Sequence, residues 1–328
     1  MSVPMPAAAA RLLPTFDESR LVDELRALRE TTWGQQRPYD ADVLPSAGID
    51  WRCLSLRSLG GDGARTDPGG PGAESFADTP WLERVPYLGE VLKTVPGSLR
   101  AARLMALGMG VRSVDHFDTK CGPAWGVARL HVPITTNPGA LLVLDGVKHS
   151  WQPGTFWFGD FSRRHMVLNE GPSVRVHLVI DCLVTPELAD IFPPDWGPYF
   201  QHGDVLYCKP ELPPRAGHFT PASWQARLPS AFLDWEEDDI FDDSAERTSA
   251  VITVTADGAH LTSECGRSFG LIRIKGDEYR LAGWSDERTV ELVPGNPGRV
   301  VLRTRCGRSV RDIAVPAYAI PAGSRTRS

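Results

Sequence analysis

The sequence predicts a mainly β protein, an antiparallel sandwich or jelly roll preceded by helices and followed by a small β module. Two observations carry this. Gly 31 and Pro 28 make 59 of 328 residues, about 18% against roughly 12% in average chains, which favours turn-rich β structure over a helical bundle. Between Ala101 and Leu183 short apolar runs alternate with turn signals: 111–114, 127–134, 140–144, 155–158, 165–168 and 174–183, broken at Thr136–Gly139, Asp145-Gly146, Gln152–Gly154 and Asn169–Pro172. Such spacing suits short antiparallel strands closing into a jelly roll.

Upstream, Thr15 to Arg29 reads as an amphipathic helix. Leu21, Leu25 and Leu28 share one face, and Asp17 and Glu18 sit at the end where the helix dipole is positive. Residues 60–72 hold six glycines without the preceding strand or following Lys-Ser/Thr of a phosphate loop, and read as a flexible loop. A second helical stretch spans Trp81 to Val95. After Leu183 come Pro- and Trp-bearing connections, then an acidic stretch from Asp234 to Glu246 that reads as a solvated linker. Apolar strands return at 250–255, 269–274, 279–281, 289–293, 300–305 and 310–315. Cys-Gly-Arg-Ser occurs twice there, at Cys265–Ser268 and Cys306–Ser309, which fits a weak internal duplication or coincidence.

Composition removes several function classes. A formal charge of −6 without a Lys/Arg run lacks the footprint of nucleic-acid binding. The N-terminus has no basic n-region followed by an apolar segment, and no run of 18 apolar residues occurs, so a cytoplasmic protein without membrane insertion is expected. Six cysteines stand singly with no Cys-x-x-Cys pair, arguing for reduced thiols rather than disulfides or a thiolate zinc site.

The chemistry concentrates in a few side chains. His116-Phe117-Asp118 places two ligand types two residues apart, so on extended chain both project the same way. His165 follows 49 residues after His116, and Arg175 follows ten after His165 inside an otherwise apolar strand. This order builds a 2-His-1-carboxylate facial triad that leaves positions open on iron, with a fork-shaped cation for a co-substrate carboxylate. The same residues also fit a plainer arrangement, with His116 and Asp118 as a surface pair and His165 in the core. His149, His177, His202, His218 and His260 have no partner pattern and receive no role.

The wider chain narrows the choice. Val85–Leu92, Asp115–Asp118, Ala128–Ile134, Trp151–Trp157, Asp160 with His165 and Asn169, and Arg175–Asp181 occur in order. From about Thr79 to Asp181, a third of the chain, the sequence resembles the iron(II)/2-oxoglutarate dioxygenases of the proline-hydroxylase and aspartyl/asparaginyl β-hydroxylase group. The resemblance implies a double-stranded β-helix, cupin-like, with Fe(II), 2-oxoglutarate as co-substrate and O2. It implies His116, Asp118 and His165 as iron ligands, Arg175 as anchor of the distal carboxylate, and Arg129 and His131 as further 2-oxoglutarate contacts. Asp160 matches a structural aspartate. Aspartyl/asparaginyl β-hydroxylases carry Gly in place of the ligand carboxylate, so Asp118 brings this chain nearer the proline hydroxylases and also speaks against a related halogenase.

The expectation is therefore a dioxygenase domain over residues 10–245, with its core at 101–183, and a β module of unknown role over 249–319. The expected reaction hydroxylates a free amino acid, cyclic like L-proline or L-pipecolate, and converts 2-oxoglutarate to succinate and CO2. Arg103 is the candidate for the substrate carboxylate, with Phe117 and Trp157 lining its pocket; Trp125 is read as packing or lining. The alternatives are an Asp/Asn-type β-hydroxylase acting on a peptide or carrier-bound residue, a non-catalytic metal-binding jelly roll, and a zinc hydrolase on the same ligands. The last two leave Arg175 without a purpose.

Overall fold

The structure is a computed structural model and describes residues 2–37, 49–213, 222–234 and 246–320. In chain order the first part contains β1 (Ala9–Thr15), α1 (Glu18–Ala27), β2 (Gly34–Gln35), β3 (Trp51–Leu59), β4 (Phe76–Asp78), α2 (Pro86–Lys93), β5 (Leu99–Leu107) and β6 (Val111–Arg112). It continues with β7 (Val127–Thr135), β8 (Ala140–Leu144), β9 (Val147–His149), β10 (Thr155–Gly159), β11 (His165–Asn169), β12 (Arg175–Leu183) and, after two 3-10 turns, α3 (Gly197–His202). Eight strands form one sheet in the order β1-β10-β7-β12-β5-β3-β2 with β4 on β3, and β6-β11-β8-β9 form a second. This is the mainly β, double-stranded β-helix architecture expected.

The larger sheet separates its two faces by strand alternation. Leu54, Leu56, Leu104, Leu130, Val132, Phe156, Phe158, Leu178 and Ile180 join one core with Leu21, Leu28, Leu88, Val91 and Leu92 from α1 and α2. Each such side chain contributes about 1.5–3 kcal/mol on leaving water. The opposite parity, Arg103 and Met105 on β5, Arg129 and His131 on β7, Trp157 on β10, and Arg175, His177, Val179 and Asp181 on β12, looks the other way. Central β12 is buried along its whole length because both its faces are covered. Asp17 caps α1, accepting from the backbone N–H groups of Ser19 and Arg20 at 2.9 and 3.1 Å.

Among the strands that escaped the sequence reading are β1, β3 and β5. β1 contains Pro14 and Arg11, and β3 reads Trp-Arg-Cys-Leu-Ser-Leu-Arg-Ser-Leu, with polar residues that the tertiary structure buries. β5 holds two arginines among alanines. The glycine-rich stretch is tied down rather than loose: Ser55 donates to the Arg65 carbonyl at 2.6 Å, and Trp81 Nε1 to that of Gly63 at 3.1 Å.

The chain divides into two compact units, 1–70 with 76–208, and 71–75 with 209–328. The boundary therefore differs from the expected 245/249. The second unit closes an eight-stranded antiparallel barrel of β13 (Ala222–Pro229), β14 (Arg247–Val254), β15 (Ala259–Ser263), β16 (Ser268–Lys275), β17 (Glu278–Leu281), β18 (Arg288–Val293), β19 (Gly298–Cys306) and β20 (Ser309–Ile320). Closure needs β13, which pairs with β14 on one side and β20 on the other, so residues 222–229 belong to the barrel. A short α4 (Ser230–Asp234) follows β13. Most of the acidic stretch, 235–245, and His218 lie outside the described residues. Four cysteines are buried, whereas Cys265 and Cys306 are exposed, and all six are free thiols. Among the described residues no helix is long and apolar enough to cross a membrane.

Candidate active site

His116 and His165 meet in an isolated antiparallel bridge, each donating its backbone N–H to the other's carbonyl at 3.0 and 2.7 Å. The bridge brings their rings to 4.3 Å between centroids. Asp118 is fixed two residues on, where its N–H donates to the Phe161 carbonyl at 2.9 Å. Asp118 Oδ1 lies 3.6 Å from His116 Nε2 and 3.9 Å from His165 Nε2, and one ligand atom of each residue falls within 4.8 Å of the others.

The tautomers suit a metal. His116 Nδ1 lies 2.9 Å from the Val114 carbonyl and His165 Nδ1 lies 2.9 Å from that of Arg163. A carbonyl only accepts, so both Nδ1 atoms carry hydrogen, which leaves Nε2, on the Asp118 side, as the nitrogen able to ligate. Burial pushes the His165 pKa below its ordinary value, with Asp118 opposing, which keeps the ring neutral and able to ligate. Asp160 stands aside: it accepts from Ser162 and Arg163 at 2.5 and 3.0 Å, bracing the turn that offers the Phe161 and Arg163 carbonyls.

The inner sheet face carries the remaining polar groups. Arg175 is buried, and burial, with no carboxylate beside it among the described residues, pulls its guanidinium down to about 9. Its Nη2 donates to His177 Nδ1 at 2.8 Å, so the His177 proton resides on Nε2. His131 Nδ1 approaches the same nitrogen at 3.4 Å, while its buried Nε2 finds no partner among the described residues. Burial, reinforced by Arg175, holds both imidazoles well below their ordinary pKa and hence neutral. His131 stacks on Phe161 at 5.0 Å and meets Trp151 edge-on at 5.3 Å; Trp151 stacks on Trp157 at 5.2 Å.

The other predicted residues are placed as follows. Arg129 directs Nε and Nη2 to Asp181 at 2.6 and 2.9 Å and Nη1 to Asp118. Its charge is therefore already answered by two carboxylates. Arg103 is 2% exposed; Nη1 donates to the Thr66 carbonyl at 3.4 Å, Nη2 is 3.8 Å from Asp181, and Nε is unpartnered among the described residues. Phe117 is 56% exposed beside His116, as is Val114 at 75%, so apolar groups rim the histidine-aspartate cluster. Trp157 belongs to the aromatic wall near His131, and Trp125 lies in a 3-10 turn elsewhere.

The sequence reading missed His177, Trp151, Phe161 and Asp181. A signal existed for two of them, since 175, 177 and 181 share parity on one strand. The aromatic pair depends on chain folding back across β10 and β11, which no local pattern announces.

The family model for aspartyl/asparaginyl β-hydroxylases matches residues 15–185. The chain belongs to the aspartyl/asparaginyl β-hydroxylase family. Membership makes it a 2-oxoglutarate-dependent dioxygenase, an enzyme using Fe(II), 2-oxoglutarate and O2, and the His-Asp-His donor set fits such a metal. Similar solved structures include a 2OG-Fe(II) oxygenase-family oxidoreductase from Burkholderia pseudomallei, 11% identical over 53% of this chain and 83% of that one, with a TM-score of 0.36. A prolyl hydroxylase from Trichoplax adhaerens, in complex with a hypoxia inducible factor oxygen degradation domain peptide fragment, is 10% identical over 56% and 87%, with a TM-score of 0.39. A viral collagen prolyl hydroxylase from Paramecium Bursaria Chlorella virus-1 is 10% identical over 54% and 98%, with a TM-score of 0.32. No curated protein sequence matches the chain.

Proposed function

We propose that residues 10–208 hydroxylate a free amino acid, cyclic in the manner of L-proline or L-pipecolate, with His116, Asp118 and His165 holding Fe(II). The observation that carries this reading is Arg175: a buried guanidinium with no carboxylate partner among the described residues, on the inner face that also bears the imidazoles. A charge left in that state is costly, and the distal carboxylate of 2-oxoglutarate compensates it. His177 holds the fork through Nδ1, and His131 offers its unpartnered Nε2 as a further contact for the co-substrate.

Bound iron(II) supplies the oxygen activation that couples decarboxylation of 2-oxoglutarate to C–H hydroxylation. The protein's share is positional. The Val114 and Arg163 carbonyls keep both ligand imidazoles in the required tautomer, and the Trp151–Trp157 wall with Phe161 keeps water from His131. Arg103, with Nε unspent, takes the substrate carboxylate, while Phe117 lies on the rim where an apolar ring passes.

The family match itself favours a second reading, an Asp/Asn-type hydroxylase acting on a peptide or carrier-bound residue. One assay separates the two. Protein loaded with Fe(II) and 2-oxoglutarate is presented with free amino acids, N-acylated Asp and Asn, and short Asp/Asn peptides, and succinate is measured beside a mass gain of one oxygen. Proline and pipecolate differ by one methylene, which an apolar pocket discriminates by about 1–3 kcal/mol, so both should turn over with a preference up to roughly 200-fold. Product from Asp or Asn substrates alone would replace the cyclic-substrate reading. Absence of succinate with every substrate would favour a non-catalytic metal-binding protein.

A further inference from the structure

Arg129 was expected to bind 2-oxoglutarate, yet three of its N–H groups already pair with carboxylates of the chain. Asp181 lies directly across the sheet, register partner to Arg129 on neighbouring β12. It receives Nε and Nη2 as a two-pronged fork at 2.6 and 2.9 Å. That orients the guanidinium so that Nη1 reaches Asp118 Oδ2. The other oxygen, Oδ1, is the one facing His116 Nε2 and His165 Nε2 at 3.6 and 3.9 Å. Burial works against the Arg129 charge, but Asp181 and Asp118 outweigh it, and Arg129 in turn holds the Asp181 pKa below the carboxylate range against the effect of burial.

We infer that Arg129 is a positioning residue for the metal site: anchored by Asp181, it occupies one oxygen of Asp118 so that the carboxylate presents only the other to the metal. An arginine is needed because five donors in a rigid plane serve two carboxylates at once, which an ammonium cannot do with the same geometry. Three of its five N–H groups are used in this way. The inference rests on His116, Asp118 and His165 as the metal ligands.

The test needs no turnover. Mn(II) affinity of the full chain is measured by calorimetry, and 2-oxoglutarate affinity is measured separately at saturating Mn(II). Arg129→Gln should weaken Mn(II) binding by about 10–100-fold, the usual loss when a partner of a metal ligand is removed, with 2-oxoglutarate affinity held within about twofold. Asp181→Asn should show a smaller loss of the same kind. Arg129→Lys keeps the buried charge and hence the fold, and should still lose Mn(II) affinity severalfold. Unchanged Mn(II) binding in both Arg129 variants overturns the inference, and a tenfold weaker 2-oxoglutarate complex beside it would make Arg129 the co-substrate contact. Unchanged Mn(II) binding in Asp181→Asn alone removes the anchor. Failure of the underlying triad looks different: wild-type protein would then bind Mn(II) no better than His116→Ala.

Discussion

Both units of this protein bury arginines, and Arg175 of the jelly roll is treated in the opposite way to those of the barrel. In the barrel, Arg280 donates Nη1 to the Lys209 carbonyl at 2.8 Å and Nη2 to Glu211 at 2.6 Å. Glu278 receives Lys209 and Thr289 at 2.9 and 2.8 Å, and Arg305 besides. Arg288, fully buried, reaches the Ala231 carbonyl at 2.9 Å and that of Phe232. In the jelly roll, among the described residues, Arg175 has only a neutral imidazole, and Arg103 Nε, His131 Nε2 and Trp151 Nε1 have no partner. The barrel's Arg273, whose Nε is likewise unpartnered among the described residues, still donates to the Pro213 carbonyl through Nη2. Burial of charge alone does not mark a site. Buried charge that has no carboxylate partner among the described residues does, because the fold tolerates the cost where a ligand offsets it.

The contrast is sharpest at the metal ligands. His116→Ala, Asp118→Ala and His165→Ala should each reduce succinate formation to background while circular dichroism stays native, since three side chains share one weakly held cation. Near-normal activity in either histidine variant would break the assignment.

Next in size is a pair of opposite signs. Arg175→Met should weaken 2-oxoglutarate binding by about 3–5 kcal/mol, the usual effect of depriving a buried charge of its partner, yet raise the melting temperature of the ligand-free protein. Arg175→Lys should recover only part of the binding. Glu278→Gln should do the reverse: about 3 kcal/mol of lost barrel stability, from leaving Arg305 and Lys209 uncompensated, with 2-oxoglutarate affinity unchanged. Calorimetric melting with and without 2-oxoglutarate reads both. A stabilised barrel or a destabilised Arg175→Met protein would erase the distinction.

Acid should separate the units more gently. His131 and His177 are neutral in the fold with pKa values well below 6.5, so the unfolded chain binds more protons and the jelly roll weakens as pH falls below 6.5, by at most about 2.7 kcal/mol per pH unit for two groups. For Glu278, burial raises the pKa, but Lys209 and Arg305 outweigh it and set it at about 2 against 4.5. Its contribution is complete above 4.5 and is lost as pH falls from there toward 2. Scanning calorimetry from pH 8 to 3 should show the jelly-roll transition declining first, and a barrel transition that moves first would contradict it.

How far the sequence carried the reading depends on whether each feature was local. Strands 140–144 and 165–169 announce themselves because each is a short apolar run between turn residues. β1, β3 and β13 do not: β3 carries Ser55 and Ser58, which are buried only once neighbouring strands arrive, while β1 and β13 mix exposed Arg11, Gln225 and Arg227 with few buried apolar residues. Residues 222–229 therefore read as connection although they close the barrel. The order of His116, Asp118, His165 and Arg175 was legible because ligand spacing and strand parity are properties of the chain. Partner choice was not. Arg129 reads as a co-substrate residue in the sequence, whereas its pairing with Asp181 comes from a register set across two strands, between residues 52 apart in the chain. The sequence by itself determined which groups exist and which strand face each occupies, since alternation fixes parity. Only the tertiary structure decided which of those charges neutralise one another and which stay unpaired, because Coulomb attraction depends on distances that long-range pairing alone sets.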